Sequence, residues 1–189
     1  VTGRLILASE SPRRKELLSQ LGVAFTVMPS GISEQFPAGP PQDGVVALAL
    51  AKARAVAARI DSGVVLGADT EVVLGGTAFG KPRDHEDARR MLRALSGRQH
   101  EVMTGLALVE APDGHSTSET VVTKVRMKEY DDVAIDEYLA TAEPFDKAGA
   151  YAVQGLGETL VESVDGCYTN VVGLPLTTTR RLLEAWGLL

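Results

Sequence analysis

The chain has 189 residues, of which 44% are hydrophobic, 23% charged and only 5% aromatic. This composition suits one folded domain that buries about 70% of its extended surface, and it excludes a disordered chain or an aromatic stacking platform for nucleic acid. The net charge of −6 repels a polyanion, so a basic pocket inside this chain favours a small phosphorylated ligand over a duplex.

Residues 5–9, LILAS, form a short apolar run of the buried-strand type. It feeds a helix opened by Ser11 and Pro12, carrying Leu17, Leu18 and Leu21 on one side and closed by Gly22. Arg13, Arg14 and Lys15 crowd the first turn of that helix. Cations are misplaced there, because the unbonded N–H groups and the macrodipole already make the turn positive and cost each cation roughly 0.3–1 kcal/mol. Either the turn is simply solvated, or its N–H groups and guanidinium forks converge on a phosphate.

VAFTVMPSGI alternates as a second strand, and a Pro/Gly-rich loop leads into an Ala-rich helix from about Val45 to Ile60 that carries Lys52. VVLGADTEVVLGGTAFGKP reads as a buried strand, a hairpin turned by Gly75-Gly76 and a return strand reaching Lys81-Pro82. Asp84 caps the next helix, whose charges read as a solvated surface. Two long alternating strands joined by APDGH follow, then the helix DDVAIDEYLATAE. The segment EPFDKAGAYAVQG precedes a strand pair, ETLVESVDG and CYTNVVG, and Pro175 starts a terminal helix with Leu182, Leu183 and Trp186 inward. Strands and helices alternate first and hairpins come later. The expected architecture is therefore α/β, a twisted mixed sheet flanked by helices, in one domain over residues 1–189 with two lobes around a cleft.

The single cysteine, Cys167, rules out an internal disulfide and suggests a reducing compartment with a buried, inert thiol. His85, His100 and His115 fall at a helix start, a strand start and a turn without ligand spacing, so no zinc site is expected. The opening residues lack the basic and apolar regions of a leader, and no apolar run approaches a membrane span. A cytoplasmic protein with no membrane partner is expected.

Asp69 follows the run VVLGA, at what reads as a strand end. A carboxylate there must be solvated, paired or metal-bound, and strand ends are where α/β sheets take ligands; the plainer reading is a turn aspartate bonding its own backbone. Glu34 is either a second acid of the same cleft or a surface glutamate. Lys52 sits among alanines, so its amine either reaches a polar site or snorkels to solvent. Lys81 is aimed by the rigid Pro82, Asp146 and Lys147 read as a local ion pair, and Gln154 offers a donor and an acceptor either to a base edge or to its own loop. There is no G-x-x-x-x-G-K-[ST], and the glycines of QGLGET do not complete a dinucleotide fingerprint, which removes kinase and dehydrogenase readings.

The blocks SESPRRKELL, GADTEVVL, FGKP, EPFDKAGAYAVQG and NVVGLP, in this order and across nearly the full chain, resemble the Maf family of nucleoside triphosphate pyrophosphatases. The resemblance implies a fold similar to the inosine triphosphate pyrophosphatases with a deep cleft, commonly a cytoplasmic homodimer, and a divalent metal, Mg²⁺ or Mn²⁺. It implies that Asp69 is the general base. Ser9, Arg13 and Arg14 would hold phosphates, Lys52 and Lys81 would add charge, and Glu34 would complete the acidic side and share the metal with Asp69. Arg13, Thr70 and Gln154 match the form acting on dTTP and UTP; the relative acting on 7-methyl-GTP is similar but has tryptophan, glutamine and glutamate at those positions. The expected activity is hydrolysis of dTTP, UTP and related modified pyrimidine nucleotides to monophosphate and pyrophosphate. The competing expectation is a nucleotide-binding regulator of septum formation without turnover.

Overall fold

The computed structural model describes residues 3–33, 35–141 and 143–189. In chain order the elements are β1 (Leu5–Leu7), α1 (Pro12–Ser19), β2 (Phe25–Val27), α2 (Pro41–Ala57), β3 (Gly63–Leu74), β4 (Thr77–Phe79), α3 (His85–Leu95), β5 (Gln99–Ala111), β6 (Ser116–Met127), α4 (Asp132–Leu139), β7 (Val161–Asp165), α5 (Tyr168–Val172) and α6 (Leu176–Ala185), with 3-10 turns between α4 and β7. Among the described residues the strands form a seven-stranded sheet ordered β2-β1-β3-β5-β6-β7, with β4 paired to β3. β1 runs parallel to both β2 and β3, whereas β4 and β7 lie antiparallel to β3 and β6. The sheet is mixed, as the alternation of elements predicts.

The chain divides into two compact units and passes between them inside β3, β5 and β6 and again after α5. The first unit comprises Val1–Asp69, Thr104–Val121 and Gly173–Leu189. Its helix α2 packs Ala49, Ala53 and Val56 against Ile6, Val65, Ala107 and Val109. Small residues let the helix come unusually close. A Cβ on Gly67 of β3 would stand 2.2 Å from the Ala49 carbonyl oxygen, and one on Gly105 of β5 would stand 2.3 Å from that of Val45. Leu5, Ile6 and Leu7 are buried, each contributing about 1.5–3 kcal/mol of apolar transfer free energy.

The second unit comprises Thr70–Met103 and Val122–Val172. Leu92 and Leu95 of α3, Ile135 and Leu139 of α4, and Val102, Val125 and Met127 of the strands share its core. Arg93 of α3 reaches Asp132 of α4 through two N–H donors at 2.6 and 2.8 Å. Buried in the same core, His100 Nε2 lies 2.7 Å from the Tyr151 hydroxyl.

The structure departs from the sequence reading at several points. β2 is shorter than VAFTVMPSGI suggests, since only Phe25–Val27 pair with β1. α2 starts earlier, at Pro41, because a proline suits the first helical turn and Asp43 complements its positive end. CYTNVVG is the helix α5 rather than a strand: the Asn170 amide is buried and donates to the Val102 carbonyl and to Thr123 Oγ1, satisfying groups that a strand partner would otherwise meet. Asp84 caps α3 as expected, its Oδ1 accepting the Asp87 N–H at 2.8 Å. Asp87, however, is buried rather than solvated. It accepts from Arg83 and Arg90, and the Arg83 and Arg90 hydrogen bonds hold its carboxyl well below the usual range. Leu182 and Leu183 face inward, while Trp186 is half-buried and stacks on His115. Cys167 is half-buried, with its Sγ 3.3 Å from Thr169 Oγ1, not sequestered.

Burial pushes the His100 imidazole down to about 4 from 6.5. With the folded pKa below the unfolded one, the unfolded chain binds the extra proton between these values, so stability falls as pH drops from 6.5 towards 4. The full shift corresponds to about 3 kcal/mol. Urea titrations at pH 7 and pH 4.5 should show this loss in the wild type, and His100→Gln should flatten that interval while leaving the steeper losses at lower pH where Asp87 protonates.

Candidate active site

The first unit holds two polar clusters at one level of the sheet. After β1 the chain bonds once more to β3, from the Ala8 N–H to the Leu66 carbonyl at 2.9 Å, then turns into α1. The register Leu7↔Leu66 carries Ala8 and Ser9 to the level of Gly67 and Ala68, one residue short of Asp69. Ser9 is buried. Its Oγ accepts the Ser11 N–H at 3.2 Å and an Arg14 guanidinium N–H at 3.5 Å. Ser11 caps α1 by accepting the Arg14 N–H, Pro12 occupies the first turn, and that turn contains no acidic residue. Arg13 and Arg14 are half-buried, Lys15 is exposed, and the Arg14 Nε–H donates to the Gly173 carbonyl at 2.9 Å. A buried hydroxyl, a capped helix N-terminus and guanidinium forks thus share one turn, the arrangement that binds oxyanions.

The second cluster is an ion pair. Side chains alternate along β3, so Gly67 and Asp69 share a face, and Gly67 admits α2 at Ala49. Lys52 follows Ala49 by three positions on the same side of α2, and its Nζ donates to Asp69 Oδ1 at 2.7 Å. Both side chains are buried, Lys52 to 4% and Asp69 to 5% residual exposure. Lys52 therefore reaches a polar site instead of snorkelling. Asp69 is neither a turn residue nor at a strand end, because β3 runs on through it to Leu74; the β-branched Thr70, Val72 and Val73 prolong the strand, and Lys52 supplies the charge that a buried carboxylate needs.

The remaining predicted residues belong to the second unit. Thr70 follows Asp69 in β3 and is half-buried, and Lys81 is exposed just after β4. Gln154 is exposed at the start of a 3-10 turn over Gly155–Leu160 and does not cap it with its side chain. Asp146 and Lys147 form the expected local pair at 2.6 Å. Glu34 lies outside the described residues. Among the described residues no three His, Cys, Asp or Glu side chains cluster as a metal site.

A family model described as Maf-like protein matches residues 4–186. This chain belongs to that family. Relatives called dTTP/UTP pyrophosphatase include one from Anaeromyxobacter dehalogenans, 52% identical with 97% of this chain and 94% of the relative covered, and one from Moorella thermoacetica, 51% identical with 97% and 95% covered. Among solved structures, the Ham1 protein of Staphylococcus aureus is similar, with a TM-score of 0.58, 12% identity, and 97% of this chain and 99% of that chain covered. A nucleoside-triphosphatase from Mycobacterium abscessus, a dITP/XTP pyrophosphatase, matches with a TM-score of 0.50 and 16% identity over 97% and 98% of the two chains. Such identities speak to the fold, which is the one the Maf resemblance implies.

Sequence reasoning did not reveal that Arg14 braces the NVVGLP block through Gly173. The signal was available only as the coexistence of the two blocks, since a bond to a backbone carbonyl leaves no mark on the residue that supplies it. A Cβ at Gly67 must displace α2 or strain the strand, which costs about 1–3 kcal/mol. Gly67→Ala should lower the urea midpoint accordingly. Because the displaced helix carries Lys52, turnover should fall more steeply than stability; a variant destabilised as expected but fully active would separate the helix seat from the site.

Proposed function

We propose that this protein is a nucleoside triphosphate pyrophosphatase acting on dTTP and UTP, releasing the nucleoside monophosphate and pyrophosphate. The observation that carries the proposal is the buried Lys52–Asp69 pair at 2.7 Å, level in the sheet with the Ser9–Arg14 anion turn. Family membership and the dTTP/UTP pyrophosphatase relatives at about half identity support the same activity.

In this reading the triphosphate tail lies at the positive end of α1 against Ser9, Arg13 and Arg14, with Lys81 adding charge. A water oxygen attacks the innermost phosphorus, the bond to the bridging oxygen breaks, and pyrophosphate leaves with the electron pair. Asp69 orients that water and accepts its proton. Lys52 holds the carboxylate in place and counters charge accumulating on the phosphoryl oxygens, the electrostatic contribution that dominates such transfers. A hard divalent ion such as Mg²⁺ or Mn²⁺ suits one carboxylate plus substrate phosphates. Asp69, with Glu34, would hold it, and it would supply charge neutralisation and acidify water. Gln154 pairs with the carbonyl and N3–H of uracil or thymine, a face that 5-substituted pyrimidines retain, with Arg13 and Thr70 as further selectivity residues. We place the protein in the cytoplasm as a single-domain homodimer without nucleic-acid partners.

A non-catalytic regulator of septum formation would need the cations but not a carboxylate fixed by a buried lysine, so the pair favours the enzyme.

Asp69→Asn keeps an oxygen for Lys52 but removes the base. It should fold and lose at least about 100-fold in pyrophosphate release from UTP, the usual span of general-base catalysis. Near wild-type turnover would remove Asp69 from the chemistry, whereas no pyrophosphate release by the wild type would revive the regulator. Chelation should likewise abolish release, with Mg²⁺ or Mn²⁺ restoring it.

A further inference from the structure

Gln154 is exposed, yet the backbone on both sides of it is fixed. Upstream, the Ala152 N–H donates to the Tyr138 hydroxyl at 3.1 Å, and the Val153 carbonyl accepts the Tyr168 hydroxyl at 3.2 Å. Downstream, the Glu143 carboxylate accepts the Leu156 N–H through Oε1 at 3.3 Å and the Gly157 N–H through Oε2 at 2.8 Å. The two anchors influence each other: burial first, and the Glu143 carboxylate second, push the Tyr138 phenol's pKa up. One carboxylate therefore closes the loop whose middle residue is Gln154.

The glycines around Gln154 fit this arrangement and no larger residue. Gly155 has φ +67°, and a Cβ there would clash with Glu143 Oε1. A Cβ on Gly157 would stand 2.6 Å from the Tyr138 hydroxyl. The glycines of QGLG let the backbone wrap the carboxylate, which is a different task from the dinucleotide contact that their spacing superficially suggests.

We propose that Glu143 is a positioning residue for base selection, holding the 152–157 loop so that the Gln154 amide meets the pyrimidine edge at a fixed height and angle. The proposal rests on the pyrimidine triphosphate reading of the site. A planar amide presents its donor and acceptor in a fixed pair, so a loop that drifts loses both bonds to the base together while phosphate contacts persist. The effect belongs to KM for pyrimidine nucleotides rather than to kcat.

The test compares Glu143→Ala, Glu143→Gln and Gln154→Ala with the wild type, measuring kcat and KM for UTP and GTP, and amide hydrogen exchange over residues 156–157. Glu143→Ala should cut the UTP-over-GTP preference by roughly tenfold, mainly through KM for UTP, and should accelerate exchange at Leu156 and Gly157. Glu143→Gln keeps one acceptor oxygen and should fall between, and it carries the comparison alone if the alanine variant does not fold. If Gln154→Ala loses the preference but both Glu143 variants keep it, positioning by Glu143 is overturned and the base reading stands. If Gln154→Ala keeps the preference, the base reading fails and the positioning role fails with it. Unchanged protection of the Gly157 amide in Glu143→Ala overturns the loop closure directly.

Discussion

The site depends on a charge that has been buried and then answered. An ionised carboxylate inside a sheet is costly by several kcal/mol unless a counter-charge comes within bonding reach. Here that reach is made possible by a glycine. Gly67 allows α2 to seat against β3, and only at that distance does the Lys52 stem, lying along apolar helix surface, deliver its ammonium to Asp69. Packing and chemistry are therefore one constraint. The same small-residue seam that stabilises the first unit sets where the Asp69 carboxylate stands.

The anion turn obeys a related logic. Placing Arg13 and Arg14 at the positive end of α1 works against local helix electrostatics. The structure offsets part of that cost by using Arg14 structurally: it spans from α1 to the Gly173 carbonyl ahead of α6 and touches the buried Ser9 hydroxyl. These bonds hold the turn in place, and in the proposed enzyme groups already in place need not reorganise, which is where electrostatic catalysis gains most. In the second unit, Glu143 and Tyr138 organise the Gln154 loop in a comparable way, and the buried Asp87 gathers Arg83 and Arg90 beside the segment that follows Lys81.

Much of this is legible in the sequence. The strand–helix start at LILAS, the Gly75-Gly76 hairpin, the Asp84 cap and the leucine faces of α1 and α6 all carry local signals, because periodicity, turn chemistry and capping act over a few residues. Lys52 and Asp69 could be singled out as anomalies, a cation on an apolar helix and an acid in an apolar run, but each alone had a bland explanation. What the sequence withheld was the partner of each anomaly. Long-range pairing leaves no local pattern, so the Lys52–Asp69 bond, the Arg14–Gly173 brace and the Glu143 loop closure appear only once the strands are in register. For the same reason CYTNVVG passed for a strand: its β-branched residues outvoted Asn170, whose buried amide decides the helix through contacts with Val102 and Thr123.

Lys52 and Asp69 are proposed to act as one unit, and a double-mutant cycle measures their coupling directly. Unfolding free energies and UTP turnover would be determined for Lys52→Met, Asp69→Asn, the double variant and the wild type. Each single change should destabilise the protein by leaving a buried polar group mispaired. The double variant should be more stable than the sum of the two losses predicts, by about 1–3 kcal/mol, and removing Lys52 should cost almost no further activity once Asp69 is gone. Additive stability losses, or a large further loss of turnover in the double variant, would show that the two residues act independently and would contradict the claim.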